Sequence, residues 1–138
     1  MTAPPWSRRV RRLLFLIVAG LAAACDGGPK GPGTRDGVVE GPAKLGAVVL
    51  EVTGIGITGF KGRGDTRAYD AVVSAAEGRH RVVLVDAAGG LIEFGITVED
   101  LDAEPPLVTV LVAAGSDNQA QLSTGVVVRL DRLSSAPE

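Results

Sequence analysis

Cys25, His80 and the acidic run Glu99, Asp100, Asp102 and Glu104 are the side chains of this 138-residue chain best suited to chemistry. Cys25 is the single cysteine, so no intrachain disulfide can form and no cysteine-rich metal site can be assembled. His80 is the single histidine. A Ser-His-Asp triad would have to use it with Ser74, Ser116, Ser123, Ser134 or Ser135, none of which sits in a nucleophile-elbow context. Flanked by Arg79 and Arg81, it reads as an exposed histidine on a strand edge. Zinc or copper chemistry would lack ligands. The four acids precede Pro105 in a connection whose carboxylates could hold calcium or a small ligand, although their spacing matches no calcium loop. A solvated acidic loop is the default reading, and nothing fixes the carboxylate separation that glycoside hydrolysis needs. The expectation is therefore a chain that is not an enzyme and calls for no cofactor and no metal.

Two further spacings invite a functional reading. Gly54-Ile55-Gly56-Ile57-Thr58-Gly59 spells Gly-x-Gly-x-x-Gly after an apolar run. A dinucleotide site would need that loop to open a helix, whereas Gly62 and Gly64 follow and penalise a helix by about 1 kcal/mol each. A glycine-rich bulge or bent strand is preferred. Arg63-Gly64-Asp65 matches the tripeptide that integrins recognise, but three residues in a glycine-rich stretch read first as a solvated turn.

The start of the chain is organised differently. Arg8, Arg9, Arg11 and Arg12 are followed by an uninterrupted apolar stretch of 12 residues, 13–24, and then by Cys25. At about 1.5 Å per residue a helix of that length falls short of a bilayer core of roughly 30 Å. A basic segment, a short apolar core and small residues in that order make an export signal over residues 1–24. Leu21-Ala22-Ala23-Ala24-Cys25 resembles the lipobox of bacterial lipoproteins, with Ala23 and Ala24 at its small positions and Cys25 at the modified one. Ala22 stands where a branched apolar residue is usual. The resemblance implies a diacylglyceryl group on the Cys25 thiol, cleavage before it, acylation of its new amino group, and attachment of the mature protein to a membrane of the cell envelope. Simple cleavage after Ala24 is the alternative, and it would leave one unpaired thiol near an exposed terminus.

Losing four arginines with the signal leaves 10 basic against 16 acidic residues, a charge near −6. That balance argues against nucleic acid as a partner and against docking on anionic lipid through a basic patch.

Residues 26–42 are rich in Gly and Pro and poor in large apolar residues, the composition of a flexible linker, so residues 25–42 read as lipidated cysteine and tether. From residue 43 the texture changes. Ile92, Phe94, Ile96 and Val98 alternate with polar or small residues, as do Leu122, Thr124, Val126, Val128 and Leu130. Residues 45–52, 81–86 and 107–114 are short, continuously apolar and β-branched, so strand is again preferred. Residues 66–77 fit either a helical face capped by Thr66 or a strand through Tyr69, Ala71, Val73 and Ala75. Strand is favoured because the next run begins after a hairpin-length gap. Residues 87–90 and 115–118 read as hairpin turns. About seven strands in about 90 residues predict an all-β fold, a two-sheet antiparallel sandwich over 43–133, with a disordered tail over 134–138.

Gly46-Ala47-Val48-Val49-Leu50, Arg81-Val82-Val83-Leu84-Val85 and Gly90-Leu91-Ile92-Glu93-Phe94 give a strand order that resembles the cohesin-like and immunoglobulin-like sandwiches of secreted bacterial proteins. The resemblance implies architecture only, since sandwiches host many functions. Only Phe60, Tyr69 and Phe94 are aromatic after the signal, which disfavours carbohydrate stacking. The expected role is a non-catalytic envelope module that contacts another protein, with a calcium or small-ligand domain as the alternative.

Overall fold

Alternation of apolar and polar residues puts one side of each strand in the core and the other in water, and residues 92–98 follow that rule. In the structure, a computed structural model that describes residues 31–130, they form β6 (Ile92–Val98), with Ile92, Phe94, Ile96 and Val98 buried. The expected export signal over 1–24, Cys25 and the expected tail over 134–138 lie outside the described residues. The other strands are β1 (Gly33–Glu40), β2 (Leu45–Thr53), β3 (Ile57–Arg63), β4 (Arg67–Ser74), β5 (Arg79–Val85), β7 (Leu107–Gly115), β8 (Ala120–Gln121) and β9 (Val127–Leu130).

Two antiparallel sheets pack as a sandwich. Sheet A has the order β3-β6-β1-β9, and sheet B the order β4-β5-β2-β7-β8. Only β4–β5 and β7–β8 are joined as hairpins; every other connection passes from one sheet to the other. The core lies between the layers. Val48, Leu50 and Val52 of β2 and Val82 and Leu84 of β5 meet Val39 of β1 and the four inward residues of β6.

The segment expected as a linker is in part a strand. Residues 33–40 form β1, which pairs with β6 on one side and β9 on the other, so the sandwich begins at Gly33 and not at residue 43. Its inward positions are Arg35, Gly37 and Val39, only one of them a large apolar residue. At Gly37 the space is filled by the neighbouring strand, since a Cβ there would come within 2.6 Å of the Phe94 ring. Composition hides such a strand, because its packing partners are supplied from elsewhere.

Residues 66–77 resolve as strand and turn. β4 pairs with β5, and the turn between them is closed by the Gly78 amide donating to the Ala75 carbonyl, with Gly78 at φ +59°. Thr66 is no helix cap. It is buried, and its hydroxyl oxygen accepts from the Glu93 amide at 3.1 Å, fastening the β3–β4 corner to β6.

Two other expectations need correction. The turn at residues 87–90 is not a hairpin, for β5 and β6 lie in different sheets. Asp86 shapes it by accepting from the Ala88 amide on its side chain and the Gly89 amide on its carbonyl. The alternating run 122–130 is interrupted by a 3-10 turn at Ser123–Gly125, where the chain crosses between sheets, and only Val127–Leu130 joins sheet A. The turn at residues 115–118 does close a hairpin, with Asn118 at φ +61°.

Candidate functional site

The acidic connection is built around a cation supplied by the protein. Arg35 is 5% exposed and projects from β1 into the loop that follows β6. Its guanidinium donates to the carbonyls of Leu101 and Ala103, the latter at 2.7 Å. The Asp100 carboxylate accepts from the Asp102 amide at 2.9 Å, and the Glu99 amide donates to the Gly56 carbonyl. Leu101 packs against the core, close over Gly33. Two loop carbonyls thus already serve a fixed positive charge. Among the described residues no three His, Cys, Asp or Glu side chains gather to hold a metal ion.

His80 is not on an edge. β5 lies between β4 and β2, and the imidazole points inward, with its ring 5.4 Å from that of Phe60 in an edge-to-face contact between the sheets. Its Nδ1 is buried with no hydrogen-bond partner among the described residues. The ring borders an open cleft of ≈ 660 Å³ whose lining also includes Ile55, Ile57, Val72 and Glu99.

The glycine loop makes the β2–β3 turn at Gly54–Gly56, with Gly56 at φ +72°, and then enters β3, which carries a bulge between Ile57 and Gly59. The bent-strand reading of that motif holds. The Arg63-Gly64-Asp65 turn joins β3 to β4, closed by the Thr66 amide donating to the Arg63 carbonyl. Arg63 is engaged by an ion pair with Asp36 of β1.

One apolar surface with no cover among the described residues was not visible in the sequence. Register places Tyr69, Val83, Val49 and Val112 in one row across β4, β5, β2 and β7, all on the outer side of sheet B. The next row holds Arg67, Val85, Ala47, Ala114 and Ala120. Tyr69 is 58% and Val112 54% exposed. The charges on the row beyond, Arg81 and Glu51, neutralise each other at 3.3 Å. With strands about 4.8 Å apart and same-face residues about 6.8 Å apart, the band covers roughly 300–400 Å², a size often functional on monomers.

The signal for it lay in the three continuously apolar runs. A half-buried strand alternates, whereas a strand apolar on both faces expects cover on both. Among the described residues, nothing covers the outer side of sheet B.

Fold and surface together define a two-sheet antiparallel β-sandwich with one apolar outer face. No family model, curated protein or solved structure matches the chain.

Proposed function

We propose that this chain is a lipid-anchored module of the bacterial cell envelope, cleaved before Cys25, whose sandwich contacts another envelope protein through the outer face of sheet B. It is non-catalytic in this reading, and the partner is a protein with an apolar surface of its own. The single observation that carries the contact function is the row Tyr69–Val83–Val49–Val112, uncharged across four strands. Exposed apolar patches of this size are common where proteins meet. The likeness of the strand order to cohesin-like and immunoglobulin-like sandwiches belongs to the same proposal, as does placement at the periplasmic or outer surface.

Anchoring rests on the resemblance of Leu21-Ala22-Ala23-Ala24-Cys25 to a lipobox. Seven residues, eight residue steps, separate Cys25 from Gly33, which at about 3.3–3.6 Å per step would keep the sandwich within roughly 30 Å of the lipid. Mass spectrometry of the protein from a bacterial membrane fraction tests this directly. The expected mature chain begins at Cys25, carries acyl chains, and is lost from the membrane in Cys25→Ala. An unmodified first residue, or retention of residues 1–24, overturns the anchor. A photo-crosslinking residue at Val83 is expected to capture a partner in those membranes that the same probe at Lys61 does not; equal capture overturns the contact face.

A further inference from the structure

Three of the four sheet edges are guarded by charge. β3 carries Lys61 and Arg63, β4 carries Arg67 and Asp70, and β9 carries Arg129. Such charges discourage a strand from another molecule from adding to the sheet. The fourth edge is different. β8 is only two residues long and pairs with β7 only at Ala113 and Ala114. Residues 107–112 therefore have no ladder partner on that side among the described residues, although β2 pairs with them on the other. β7 contains no charged residue, and Leu107 is 70% exposed.

That open stretch is also a palindrome. Leu107-Val108-Thr109-Val110-Leu111 reads the same in both directions, and its burial alternates strictly, with Leu107, Thr109 and Leu111 exposed and the two valines half-buried. The irregularity in the β2–β7 register falls at its last residue, Leu111, which lies between Val110, the partner of Leu50, and Val112, the partner of Val49. An antiparallel neighbour with the same sequence, related by a two-fold axis through Thr109, would place leucine opposite leucine, valine opposite valine and threonine opposite threonine. Every pair would then keep its side of the sheet. Cross-strand Thr–Thr and aliphatic pairs are favourable, and an isologous two-fold contact closes on itself.

We infer that the free edge of β7 binds a second copy of this chain, joining two five-stranded sheets into one continuous sheet across a two-fold axis at Thr109. The contact goes beyond the envelope reading and does not require acylation. A ladder this short buries less than the 1,200 Å² or so of a standard interface, so the pairing is weak in dilute solution and grows when copies are confined to one surface. It also sets two apolar outer bands side by side.

Disulfide trapping of the full-length chain in detergent tests the inference. Directly opposed residues of an antiparallel pair have Cα atoms about 4.5–5.5 Å apart, inside the window of about 4.4–6.8 Å for a disulfide. Thr109→Cys is expected to give a covalent dimer under mild oxidation, and Lys61→Cys, on an exposed position of sheet A, is expected to give none. Thr109→Lys, which opposes two like charges on the axis, is expected to abolish the dimer seen by native mass measurement while circular dichroism keeps its β signature. Absence of a linked dimer in a folded Thr109→Cys chain overturns the inference, as does equal linking through Lys61→Cys. A dimer that forms only after removal of residues 131–138 also overturns it, because the chain's own end would then be the occupant of that edge.

Discussion

On the outside of sheet A, the row Arg63–Glu93–Val38–Arg129 crosses four strands with three charges. The corresponding row on sheet B, Tyr69–Val83–Val49–Val112, crosses four strands with none. Asp36 pairs with Arg63 and Glu40 with Arg129, so the charges on sheet A largely satisfy one another. Both sheets line the same core, and both are antiparallel. Their difference lies in the outward residues, which the shared core does not dictate. Sheet A is finished toward solvent. Sheet B is apolar within and carries an apolar band outside, flanked by Arg67 and by the Arg81–Glu51 pair.

The comparison implies a hierarchy of mutational effects. Phe94→Ala, on the inner side of sheet A, removes a fully buried ring packed over Gly37 and is expected to cost about 3–5 kcal/mol in urea denaturation. Val83→Ala, on the outer side of sheet B, should cost less than about 1 kcal/mol. A comparable loss at Val83 would mean that the outer valines serve the fold, and the contrast between faces would lose its functional meaning. Next, the double change Val49→Lys with Val83→Lys is expected to remove most binding of a polarity-sensitive hydrophobic dye without unfolding the chain. Unchanged dye fluorescence would move the apolar surface elsewhere. Smallest is Arg63→Ala: its ion pair with Asp36 is partly exposed, so a stability change within about 0–1 kcal/mol is expected. A loss well beyond that would make the charge pattern of sheet A structural.

The strands most legible in sequence are those that obey a single period. β6 is read correctly from Ile92, Phe94, Ile96 and Val98 because each inward residue is apolar and each outward one polar or small. β2, β5 and β7 are recognisable as strands from their β-branched runs, yet the same runs conceal which side faces the core, and so conceal the outer band. β1 is illegible for another reason. Its inward positions are an arginine, a glycine and a valine, and what makes them a strand is the Phe94 ring and the loop carbonyls brought from more than fifty residues away. The acidic loop shows the same limit. Glu99, Asp100, Asp102 and Glu104 are visible as a cluster, but nothing in their spacing announces that Arg35 enters the loop from another strand. His80 is misplaced for want of Phe60, its neighbour across the sandwich.

The place where the chain enters the sandwich has a mechanical consequence. Tension arriving from the N-terminal side reaches the fold at Gly33 and runs along the axis of β1, which is laced to β6 and to β9. Antiparallel ladder bonds stand perpendicular to the strand, so such a load shears many of them at once instead of unzipping them singly. A load applied at that end would meet the shear resistance of two ladders together.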